Sequence, residues 1–153
     1  MNRIVGNESQ GGDGPIQSCD VKGVCIQNRQ SCHIAFFVQV IHQNILSANK
    51  KILIIDNYID DSVLKMLTKK KTNVQVVILT SEKSNIQNLD VQKFNKEYPI
   101  LKIAKTNKFH DRFIVIDNKE MYHLGASIKD LGKKCFGINK IEDVSIINKL
   151  YEI

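Results

Sequence analysis

The stretch that decides the reading runs His110-Asp111-Arg112-Phe113-Ile114-Val115-Ile116-Asp117, followed after a short interval by Leu124-Gly125-Ala126-Ser127-Ile128-Lys129-Asp130. Within it, residues 112–116 (RFIVI) are apolar on both faces, Phe113 and Val115 against Ile114 and Ile116. A strand of that kind belongs inside a sheet covered on both sides. His110 and Arg112 stand two apart where the chain enters this strand, so the spacing predicts that both side chains emerge on one face. A histidine beside a fixed cation suits a phosphate: the cation neutralises the oxygens while the imidazole attacks or shuttles a proton. Asp117 closes the strand and is expected to orient the imidazole through its ring N–H, as carboxylates do in catalytic triads. Gly125 permits close backbone approach, and Ser127 offers a hydroxyl and a backbone N–H to an anion. Lys129, with Lys133 and Lys134 behind it, either tracks a phosphate backbone or forms a plain solvated face.

Outward from this stretch the chain alternates strands and helices. Residues 120–124 form a second strand, joined to the first by a tight Asp117-Asn118-Lys119 turn. Upstream, Ile34, Phe37, Val38, Ile41, Ile45 and Ala48 recur at helical spacing. Residues 51–56 (KILIID) and 74–79 (VQVVIL) read as buried strands, with a helix capped by Asp60 or Asp61 between them. That helix ends in the cationic run Lys69 to Lys71, which suits a helix C-terminus. A further helix over 86–98 stops at Pro99, and 100–104 is a third strand. A helical turn at 128–131, a short strand at 136–138 and a closing helix over 141–150 complete the order. Such alternation implies an α/β layered domain. Asp56, Asn57, Tyr58 and Asp60 follow the first strand on the edge where α/β proteins place ligands, and could line the site. For Asp56 and Asn57 the more ordinary reading is as turn and cap residues. Glu142 stands open to two readings as well, support for a catalytic histidine or charge preference at a helix start.

On these residues the chain resembles the phospholipase D superfamily, whose signature is His-x-Lys, four residues, Asp, then a Gly-Ser-x-Asn turn. His110, Asp117 and the Gly125 turn match it, with Arg112 in the lysine place and the turn displaced by one residue. The likeness extends over about 34–153 and is closest to small bacterial modules found at the C-termini of phage antirepressor-type proteins. It implies a phospholipase D-like layered domain over 32–153, a mixed β-sheet flanked by helices. It also implies a metal-independent phosphodiesterase acting on nucleic acid, with His110 as nucleophile and Arg112, Ser127 and Lys129 holding phosphate. One motif supplies one histidine where the reaction uses two, so an active site would need a homodimer. Arg112 binds phosphate in a fork geometry unlike that of lysine. The alternative is therefore a non-catalytic domain of the same fold, kept for oligomerisation or for an anionic partner.

Composition bounds the rest. Lys and Arg number 22 against 16 Asp and Glu, a net charge of +6, which suits DNA, RNA or another anionic partner. Residues 1–30 hold five of the eight glycines and no aromatic side chain, which predicts an irregular or disordered segment over 1–31. No leader is evident in those residues, so a cytoplasmic location is expected. The resemblance to C-terminal modules makes a fragment or C-terminal module of a larger protein one option, which the sequence leaves open. Cys19, Cys25, Cys32 and Cys135 match no zinc spacing, so neither a metal nor a cofactor is expected.

Overall fold

In the computed structural model the described residues are 30–143 and 145–151. The expectation of an irregular segment therefore falls almost wholly outside them. Helix α1 (Gln30–Ser47) begins within that segment's last two residues, one turn earlier than its apolar periodicity suggested.

Six strands form one mixed sheet in the order β3-β2-β1-β4-β5-β6. β1 (Lys51–Ile55), β2 (Gln75–Thr80) and β3 (Leu101–Lys105) run parallel, linked by the crossover helices α2 (Asp61–Leu67) and α3 (Asn88–Glu97). β4 (Arg112–Ile116) lies antiparallel beside β1 and opens a meander with β5 (Glu120–Leu124) and β6 (Ile138–Ile141). The parallel half thus meets the antiparallel half at the β1–β4 seam.

Strand alternation sorts the core into two layers. Ile52, Ile54, Val76, Ile78, Ile114, Ile116 and Leu124 face the crossover side, against Ile41, Ile45 and Ala48 of α1, Val63, Leu64 and Leu67 of α2, and Phe94 of α3. Leu53, Ile55, Val115 and Met121 face the other way, under Phe109 and under Ile147 and Leu150 of α4 (Ser145–Tyr151). RFIVI is apolar on both sides because it is covered on both sides, as its composition demands.

The punctuation follows local chemistry. Asp60 caps α2, its carboxylate accepting from the Ser62 N–H at 3.0 Å and from the Ser62 hydroxyl. Lys70 does not serve the helix end. It is buried, and its ammonium donates to the carbonyl of Pro99 at 2.6 Å, tying the loop before β2 to the loop before β3. The β4–β5 turn carries Asp117 and Asn118 at φ of 53° and 56°, with the Lys119 N–H donating to Ile116. Two consecutive left-handed residues give the twist that a tight hairpin needs, and Asp and Asn tolerate it. β6 lies later than expected because Ile138 and Ile141 are the residues that pair with Leu124 and Met121.

Candidate phosphate site at the seam

The β1–β4 register sets Ile55 opposite Phe113, so Asp56 and Arg112 continue the ladder as the next pair. The β1–β2 register likewise brings Thr80 beside Asp56. All three lie at the carboxyl ends of the parallel strands, on the crossover side of the sheet.

Asp56 is the keystone. It is fully buried, yet its carboxylate is well supplied: Oδ2 accepts from the Ser127 hydroxyl at 2.8 Å and the Ile128 N–H at 2.7 Å, and Oδ1 accepts from the Tyr58 N–H at 3.0 Å. The Arg112 Nε lies 3.9 Å from Oδ1, close enough for attraction and too long for a hydrogen bond. A buried carboxylate is tolerable only when donors and a counter-charge surround it in this way. The 3-10 turn η1 (Ile128–Asp130) is thereby fastened onto the exit of β1, and Lys129 arrives with it.

His110 is placed by a different device. β3 and β4 are separated in the sheet by β2 and β1, so residues 106–111 must cross three strand spacings, about 14 Å. The strap so formed runs across the carboxyl ends of β2 and β1. The Thr106 N–H donates to the carbonyl of Thr80 at 2.7 Å, and the Asn57 amide donates to the carbonyl of Phe109 at 2.6 Å. The Phe109 ring is buried in the second core layer while His110, the next residue, is exposed. One end of the imidazole's neighbourhood is thus anchored and the ring itself faces solvent.

Tyr58 completes the edge. It is 37% exposed, and three cations from three elements surround its ring: the Arg112 Cζ lies 5.8 Å from the centroid, and the Lys83 and Lys129 Nζ atoms 6.0 Å each. Three buried polar atoms without a hydrogen-bond partner among the described residues also fall here, Asn57 Oδ1, Thr80 Oγ1 and Arg112 Nε. Buried orphans are rare in folded proteins, and their gathering at one edge marks a place built for something other than stability.

The structure brings His110, Arg112, Gly125, Ser127, Lys129, Asp56 and Asn57 to this edge, and two of them with altered roles. The hydroxyl of Ser127, expected to face an anion, is buried and donates to Asp56 instead. Gly125 donates its N–H to the Gly137 carbonyl at 2.9 Å, holding the turn onto the start of β6. Asp117 is a correction. It stands at the far end of β4 from Arg112 and accepts from the backbone N–H groups of Asn49, Lys50 and Lys51 at 2.9, 2.7 and 2.9 Å. Burial works to raise its carboxyl pKa, but the donors of Lys51, Asn49 and Lys50 together outweigh it and hold the group below its ordinary value. It secures the entry to β1 and orients no imidazole. Glu142 follows β6 at that same far edge, because Ile141 pairs with Met121, and it is exposed. Lys83 was missed by the sequence reading. Its loop after β2 carries no motif, and only the strand order could have placed it. Among the described residues no cluster of histidine, cysteine and carboxylate side chains is suited to a metal ion, and no helix is long and apolar enough to cross a membrane.

No family model matches this chain, and no curated protein sequence does. Solved structures do. NucT from Helicobacter pylori is similar over 79% of this chain and 86% of its own, at a TM-score of 0.57 and 16% identity. TrmBL2, an archaeal chromatin protein, is similar over 78% of this chain and 47% of its own, at a TM-score of 0.47 and 17% identity. The first likeness, together with the mixed sheet and its flanking helices, shows the architecture: the chain has the α/β layered fold of a phospholipase D-like domain.

Proposed function

We propose that this domain is a metal-independent phosphodiesterase acting on nucleic acid, with the seam between β1 and β4 as its phosphate site. The observation that carries the reading is the convergence of His110, Arg112 and Lys129 on one sheet edge through devices that cost the fold something. A buried carboxylate holds Arg112 and the Lys129 turn at this edge, and the strap anchored at Phe109 brings an exposed histidine to the same edge. In this reading Arg112 and Lys129 hold the non-bridging oxygens, and His110 attacks phosphorus to give a phosphohistidine that water then opens. A second imidazole must protonate the leaving oxygen. His123 does not supply it, since its ring is packed against Phe113 at 5.5 Å. In this reading the partner histidine comes from a second copy, and the working unit is a homodimer. The fold shared with NucT, a phospholipase D-like nuclease, supports the choice of nucleic acid.

The test is cleavage of single- and double-stranded DNA and of a generic phosphodiester, with chelator present, by wild type and His110→Ala. Cleavage by wild type that rises faster than linearly with protein concentration, and that His110→Ala abolishes, is the expected result. Because His110 is exposed, the variant should keep its stability within about 0.5 kcal/mol. A folded dimer that cuts nothing would leave the non-catalytic, anion-binding domain as the better account.

A further inference from the structure

We infer that Tyr58 is a stacking platform for an unpaired base, so that the site takes single-stranded nucleic acid in preference to duplex. The inference rests on the phosphate reading of the seam and names the substrate form that the seam fits.

Tyr58 is held as a platform would be. Its N–H is fixed by the buried Asp56, and the residue remains 37% exposed at the edge where the phosphate is expected. Arg112, Lys83 and Lys129 approach that ring from β4, from the loop after β2 and from η1, at 5.8 to 6.0 Å. Among the described residues, neither Lys83 nor Lys129 has a carboxylate at ion-pair distance. Three like charges gathered about one ring repel one another, and cation–π contacts at an exposed site offset little of that. A polyanion whose phosphates alternate with flat aromatic groups answers both features at once: the cations take phosphates and the ring takes the base between them. The same three cations disfavour the other common ligand of an exposed tyrosine, a quaternary ammonium, by direct repulsion. In duplex the base faces are already stacked on each other and offer nothing to a side chain at the groove's edge, whereas an unpaired strand can turn a base onto Tyr58.

The experiment is fluorescence anisotropy with the full chain and labelled oligonucleotides whose linkages are phosphorothioates, so that cutting does not intrude. The probes are a mixed-sequence single strand in DNA and RNA forms, its duplex, and an abasic strand of equal length and charge. Stacking of a base on an aromatic side chain strengthens binding about fivefold or more, so wild type should hold the base-bearing strand at least that far above the abasic one. It should also hold that strand above the duplex, despite the duplex's greater charge. The DNA and RNA arms report whether the sugar matters. Tyr58→Leu should remove the preference for bases, and Tyr58→Phe should keep it. Equal affinity of wild type for abasic and base-bearing strands would overturn the inference without any variant. An undiminished preference in a Tyr58→Leu chain that melts like wild type would overturn it as well. Cleavage is read separately. Preference without cleavage would sink the hydrolytic reading and leave Tyr58's role standing, and cleavage without preference would do the reverse.

Discussion

Two aspartates at opposite ends of the β1–β4 seam show how one residue type is put to different ends. Asp56 is sealed and collects donors from η1 and from its own turn, while Asp117 lies nearer solvent and gathers three N–H groups at the start of β1. Removing the first strands the Ser127 hydroxyl, two backbone N–H groups and the guanidinium of Arg112 together. Asp56→Ala should therefore cost about 3–5 kcal/mol in urea unfolding and release η1, a loss seen as faster amide exchange at Ile128. Asp117 gives a pH signature instead. Its folded pKa is depressed, so its contribution is present above the unfolded value near 3.8 and fades as pH falls through the lower folded value. Melting temperature followed from pH 6 to pH 2 should drop more steeply below about pH 4 for wild type than for Asp117→Asn. At neutral pH the variant is the less stable of the two, and the two curves converge in acid. Parallel curves would show that Asp117 does not titrate with folding.

At the scale of elements, the strands were readable because each is a run of apolar residues bounded by a turn or a cap. KILII, QVVILT, RFIVI and EMYHL all lie where their side-chain alternation puts them. The candidate site was half readable. His110, Arg112 and the Gly125–Lys129 turn announced themselves by spacing along the chain, and the structure sets them at one edge. Asp56 looked like an ordinary turn residue because its two most important donors are 71 and 72 residues away. Asp117 misled for the same reason in reverse: a carboxylate five residues from an arginine along a strand lies at the other end of it. Helix α4 is a short element with a large duty, since it covers the second core layer. Ile147 is 1% exposed and Ile146 37% exposed on that helix. Ile147→Ala should lower stability by about 2–4 kcal/mol in denaturant titration, and Ile146→Ala by less than 1 kcal/mol. Similar losses at both positions would mean that α4 packs differently from the way described.

For the whole molecule, the order of the strands in the sheet is not their order along the chain, and Asp56 records the difference. A ribosome delivers β1 long before the segment that satisfies its terminal carboxylate. Until Ser127 and Ile128 emerge, the Tyr58 N–H is the donor its own turn supplies, and burying that carboxylate would leave Oδ2 without its two donors. The parallel half, although it contains three strands and both crossover helices, therefore lacks two of the donors that its own buried carboxylate needs. A released polypeptide ending at Ala126 should be cut by protease within residues 51–105 faster than the full chain. The acid that fastens η1 to the exit of β1 in the finished molecule is the group that an unfinished one has least means to satisfy.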